Sequence, residues 1–104
     1  MLKLNKALLK DTKDIMYSIN SKIPRIFTKG QIIASKTSKG IYFKNGKDIE
    51  SLLTFEDFDN FIDITKKYNG IDMNIVHKHK LDTTKAFFFI HAMVDMGILL
   101  FEDW

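Results

Sequence analysis

Leu4, Leu8, Ile15 and Ile19 recur at helical spacing, with Leu9 and Met16 beside them and Lys3, Lys6, Lys10 and Lys13 on the other faces. This pattern predicts an amphipathic helix over about residues 3–20, within an N-terminal helical region of residues 1–23. Pro24 stops it, because proline has no N–H to donate to the ladder and biases Ile23 toward extended backbone. From Arg25 the texture changes. Ile26-Phe27, Ile32-Ile33 and Ile41-Tyr42-Phe43, punctuated by glycine, predict strands in a β-hairpin region of residues 25–53. The polar run Ala34 to Gly40 suits a long hairpin tip, and Asn45-Gly46 is a second turn suited to positive φ. Lys47 to Leu53 stays open between two readings: Ile49, Leu52 and Leu53 have helical spacing, whereas the Asn-Gly turn argues for a third strand.

Thr54, with Asp57 three residues on, makes a capping-box pattern. Phe55, Phe58, Phe61, Ile62 and Tyr68 line one side of the predicted helix, and Asn69-Gly70 supplies a left-handed stop. Asp72 caps a shorter helix that uses Met73, Ile75 and Val76. Leu81-Asp82 breaks that helix, and Asp82 caps a last one from about Thr83 to Met96. Gly97 ends it, and Ile98 to Phe101 reads as a short buried strand. Two short helices, a tight turn, glycine and an apolar strand are the order of a helix-turn-helix leading into a winged sheet. The expected fold is therefore α+β: a single winged helix-turn-helix domain over residues 1–104. Its N-terminal amphipathic helix is followed by a basic β-hairpin that pairs with a short C-terminal strand, and residues 54–104 carry the helix-turn-helix and that strand.

Composition adds little until it is divided. With 104 residues, 45% apolar and 28% charged, the chain has the makings of one soluble core. It contains no cysteine, so a disulfide framework and a zinc-thiolate site are excluded; a reducing, cytoplasmic setting is the simplest expectation. The N-terminus does not read as a signal peptide, and the longest apolar run, Ala86 to Val94, is too short for a membrane span and is interrupted by His91. The net charge of +3 conceals an asymmetry. Residues 1–47 carry ten lysines and Arg25 against Asp11 and Asp14, a net of +9, and residues 48–104 carry a net of −6. A polyanion responds to the local field, which makes the first half the expected footprint of a nucleic acid. A solvated lysine-rich surface is the plainer alternative.

The segment from Asn74 to Leu100 also resembles a known family. Ile75-Val76, Leu81, Ala86, Phe89-Ile90, Met93 and Met96-Gly97-Ile98-Leu99 are similar, without a gap, to the winged-helix domain that ends FtsK-type DNA translocases. In overall size, basic hairpin and composition, the chain looks like the plasmid-encoded winged-helix accessory proteins of the TcpK type, which bind conjugative transfer origins in clostridia. The first resemblance implies that Thr83, Thr84 and Lys85 meet bases and phosphates, with Lys78 and Lys80 near the backbone. The second implies a dimer on repeated sites that helps a relaxase, or another DNA-processing protein, assemble a relaxosome.

Projected at 100° per residue, Ala86, Phe89, Ile90, Met93 and Val94 form one core face of the last helix, and Thr84, Lys85, Phe88, His91 and Asp95 fall opposite. Phe88 and Asp95 make that second face a poor reader of DNA, so Phe88, His91 and Trp104 are expected at a dimer interface. Phosphate contacts then fall to the hairpin: Lys36, Thr37, Ser38 and Lys39 at its tip, with Lys29 and Lys44 flanking and Arg25 adding to the basic half. His77 and His79, two residues apart on a helix, point in different directions and make a poor metal pair. Glu56, Asp57, Asp59 and Asp63 crowd a helix start, where they favour its dipole, and no nucleophile or phosphate loop accompanies them. The expectation is a non-enzymatic double-stranded DNA binder without cofactor or metal. The alternative is a plasmid or phage regulator or inhibitor that uses a winged helix to bind another protein.

Overall fold

Asn5 and Asp11 divide the N-terminal segment that the apolar spacing predicts as one helix. The computed structural model describes residues 1–101. In it, Leu2–Leu4 is a strand (β1), Lys6–Leu8 a 3₁₀ turn and Thr12–Ser18 a helix (α1). The Asn5 side chain accepts from Ala7 N at 3.3 Å, and the Asp11 side chain accepts from Asp14 N at 2.9 Å. Each satisfies a backbone donor that a continuous helix would have used, so each starts a new element. Asn5 also donates from Nδ2 to the Gly97 carbonyl, and its own N–H donates to Ile98 O at 2.8 Å, tying the N-terminus to the far end of the chain.

The hairpin region is a four-stranded antiparallel meander: β2 (Lys22–Pro24), β3 (Gln31–Lys36), β4 (Gly40–Asn45) and β5 (Ile49–Thr54), paired in that order. Ile26-Phe27, read as a strand, lies instead in the bend between β2 and β3. Pro24 is accommodated because β2 is an edge strand. Lys47 to Leu53 resolves toward the strand, and Ile41↔Leu53 and Tyr42↔Leu52 pair across the ladder. Gly40 is required where the meander turns: its φ is +153°, and a Cβ there would lie 2.1 Å from the Leu53 carbonyl oxygen.

Three further helices follow: α2 (Phe55–Tyr68), α3 (Met73–Lys78) and α4 (Thr83–Asp95), with β6 (Gly70–Ile71) between α2 and α3, and β7 (Leu99–Phe101) after α4. The capping box of α2 is present, with Thr54 N donating to Asp57 Oδ2 and Asp57 N donating to Thr54 Oγ1. The expected pairing of the basic hairpin with the C-terminal strand does not occur. β7 pairs with β1 (Leu2↔Phe101, Leu4↔Leu99), and β1 pairs on its other edge with β6, giving a second antiparallel sheet in the order β6-β1-β7. Gly70 permits that approach, since a Cβ at its φ of +158° would meet the Leu2 carbonyl at 2.2 Å.

The core lies on the inner face of the meander, where Ile23, Ile32, Ala34, Ile41, Phe43 and Leu53 are buried in strand alternation. α4 touches β2 and β5 on one side and α2, α3 and β7 on the other. It is enclosed, and both of its faces are packed. The expected outward face of Thr84, Lys85, Phe88, His91 and Asp95 is therefore overturned: Phe88 is 0% exposed, His91 is 3% exposed, and the other three are half-buried. Phe88 stacks on Phe43 at 5.3 Å and 11°, and Phe89 stacks on Phe61 at 4.9 Å and 17°. Truncating Phe88 to Ala should cost about 3–5 kcal/mol in urea unfolding, the loss expected for a buried phenylalanine and not for a surface ring. Gly40→Ala should cost more than ~2 kcal/mol in the same measurement, through backbone collision and strain.

Candidate nucleic-acid interface

The helix-turn-helix residues reach the surface only in part. α3 ends in a turn in which Leu81 N donates to Val76 O at 3.0 Å and Lys80 takes a left-handed φ of 53°. Asp82 caps α4 by accepting from Lys85 N at 2.9 Å. Thr83 is exposed, but Thr84 is half-buried, and Lys85 Nζ is held 3.0 Å from Asp57 Oδ2. Burial acts to raise the Asp57 pKa; the Thr54 N–H and hydroxyl and the Lys85 ammonium outweigh it and hold the carboxyl below its ordinary value. Lys85 is thus committed to joining the starts of α2 and α4. The four-stranded sheet covers α4 further along, at Phe88, which stacks on Phe43.

Lys78 and Lys80 are exposed, in a setting the sequence did not suggest. Tyr68, at the end of α2, donates or accepts a 2.8 Å hydrogen bond with His79 Nε2, and Lys67 Nζ and Lys78 Nζ lie 5.5 and 5.7 Å from its ring. His77 is exposed. Among the described residues no three His, Asp or Glu side chains gather where a metal could be held. Two of the four acids of α2 are used structurally: Asp57 in the capping box, and Asp59 accepting from Thr12 Oγ1 at 2.9 Å.

The hairpin residues fall into two groups. Strands β3 and β4 run further than predicted and shorten the tip to Thr37, Ser38 and Lys39. Thr37 Oγ1 accepts from Lys39 N at 3.2 Å and from Gly40 N at 3.1 Å, which fixes the tip's shape. Lys36 Nζ donates to the carbonyl of Tyr17 at the end of α1. Arg25, Lys29 and Lys44 sit toward the opposite end of the sheet, since Gln31 and Asn45 mark that end of β3 and β4. Six residues of strand separate the groups by roughly 17 Å. Arg25 Nη1 reaches the Lys29 carbonyl at 3.5 Å, and Lys44 lies directly across from Glu50.

Around the tip the fold assembles a cleft of about 210 Å³. Lys36, Thr37, Ser38 and Lys39 supply one wall, Lys13 and Tyr17 of α1 another, and Phe55 at the start of α2 closes it. Among the described residues no carboxylate lines it. Lys13, Tyr17 and Phe55 were not anticipated as site residues, although Lys13 and Tyr17 stand four apart on one helix and so share a face.

His91 and Phe88 offer no subunit surface, being buried within one chain, and Trp104 lies outside the described residues. His91 Nε2 accepts from Ile26 N at 3.3 Å, which requires neutral imidazole with its proton on Nδ1, a buried atom with no hydrogen-bond partner among the described residues. Phe27, Phe87 and His91 help line an apolar groove of about 520 Å³ beside Met1 and Met73. Among the described residues no helix is long and apolar enough to cross a membrane. No family model matches the sequence, and no match appears among curated proteins or solved structures.

Burial lowers the His91 pKa below the ordinary histidine value; the Phe87 carbonyl opposes the shift, and the Arg25 charge adds to it. A histidine of this kind binds its proton more readily when unfolded. Its stabilising contribution is full above about pH 7.5 and is lost as pH falls through ~6.5 toward the lowered folded value. Urea midpoints measured from about pH 7.5 to 5 should therefore fall for the wild-type chain, and the decline should be shallower in His91→Leu.

Proposed function

We propose that this chain is a non-enzymatic DNA-binding protein whose contact surface is the basic cleft between α1 and the β3–β4 tip, and not the helix α4. The observation that carries this reading is the convergence of Lys13, Lys36 and Lys39, from two separate elements, on one cleft that no carboxylate lines among the described residues. Ammonium groups so arranged gain from releasing the counterions condensed on a polyphosphate. The tip is braced by Thr37 and tied to α1 by Lys36, so little of it must be ordered on binding.

The winged-helix reading of the fold belongs to the same proposal. Helix, strand, two helices and strand follow in order through α2, β6, α3, α4 and β7, and the N-terminal strand β1 supplies the middle of their sheet. Such a domain, its reading helix enclosed, would use the unit as scaffold and the added basic sheet as contact surface. The resemblance to accessory proteins of conjugative transfer origins makes repeats from such origins the first duplexes to try. A second reading, a module that binds another protein, is favoured by the 520 Å³ apolar groove.

Fluorescence anisotropy with labelled duplexes between about 50 and 200 mM salt tests the proposal. Log affinity should fall linearly with log salt, and Lys36→Ala combined with Lys39→Ala should weaken binding and flatten the slope by roughly 1.8, about 0.9 for each phosphate no longer neutralised. Absence of binding to duplex and single-stranded DNA alike at the lowest salt overturns the reading in favour of the protein-binding module.

A further inference from the structure

Tyr17 is 69% exposed and Phe55 41% exposed, and both line the cleft that gathers Lys13, Lys36 and Lys39. Five other phenylalanines, Phe43, Phe58, Phe61, Phe88 and Phe89, are buried against one another, so this chain has ample means to bury a ring. Neither Tyr17 nor Phe55 stacks on another ring among the described residues. Exposed aromatic faces amid lysines have a particular use. A duplex shows its edges in the grooves and keeps its base faces stacked inside, so a protein ring finds no face to cover there; an unpaired base presents one.

Resting on the DNA-binding reading above, we propose that this cleft takes single-stranded DNA, with a base laid on Tyr17 and its flanking phosphates on Lys13, Lys36 and Lys39. The bond from Lys36 Nζ to the Tyr17 carbonyl holds the ammonium beside the ring's own residue and leaves two of its three donors for phosphate. Lys13 stands one helical turn before Tyr17, on the same side of α1. Lys39 and Ser38 project from the tip across the cleft. Phe55 bounds the site from α2 and offers a second apolar surface to a neighbouring base. Cation and ring are thus supplied together, the pairing by which single strands are bound without regard to sequence.

Binding of the full chain to a labelled oligothymidine of roughly 12 nucleotides, and to a blunt-ended, fully paired duplex of similar length, tests this. Tyr17→Ala should weaken oligothymidine binding by about tenfold and leave duplex binding and the urea midpoint unchanged, because the ring is exposed. Tyr17→Phe should retain the oligothymidine affinity, since stacking needs the ring and not the hydroxyl. Lys36→Ala with Lys39→Ala should weaken both ligands. If Tyr17→Ala affects oligothymidine no more than duplex, or if Tyr17→Phe loses as much as Tyr17→Ala, the single-strand inference is overturned while DNA binding stands. If neither ligand binds at low salt, both proposals fall.

Discussion

The packing of Phe88 on Phe43 is the contact on which the arrangement of this protein turns. Phe88 belongs to α4 and Phe43 to the middle of the four-stranded sheet, and their parallel rings press the helix onto that sheet. One residue on, Phe89 meets Phe58 and Phe61 of α2, so adjacent side chains of α4 anchor to different elements. Rings of this size dominate core energetics, and pairs of them contribute about 0.5–1.5 kcal/mol beyond the area they bury. With sheet and α2 both held, α4 becomes the axis of the fold, and the strands β1, β6 and β7 close the remaining side.

This enclosure has a functional cost and a functional gain. A helix packed against β2, β5, α2, α3 and β7 has little free surface beyond its first turn, and there Lys85 serves an ion pair with Asp57. What the sheet brings in exchange is its tip. The β3–β4 turn lands against the end of α1, and residues far apart in the chain, Lys13 and Lys39 among them, come to line one cleft. The basic charge of the first half is not spread evenly over the surface either: Arg25, Lys29 and Lys44 are carried to the other end of the sheet, where Lys44 faces Glu50.

Local chemistry was largely legible along the chain. The Thr54–Asp57 capping box, the caps at Asp72 and Asp82, the stops at Asn69-Gly70 and Gly97, and the Asn45-Gly46 turn depend on neighbours within a few residues, and each is found where its residues stand. The same rule misled at the N-terminus. Leu4, Leu8, Ile15 and Ile19 keep helical spacing, yet Leu2-Lys3-Leu4 alternates as a strand does, and Asn5 and Asp11 are capping residues whose significance rises once β1 has a partner.

Sequence by itself determined where α2, α3, α4 and the strands β3 and β4 lie, the concentration of positive charge before residue 48, and the absence of cysteine chemistry. Those properties follow from short-range backbone preferences and from counting. Tertiary structure alone decided that β7 pairs with β1 and not with the hairpin, that Phe88 and His91 face inward, and that Lys13 and Tyr17 join the tip. A projection sorts the sides of a helix but does not say how many neighbours it has. α4, apolar around most of its circumference, could satisfy one partner or two, and burial of both faces was settled by a sheet that ends 29 residues before the helix begins.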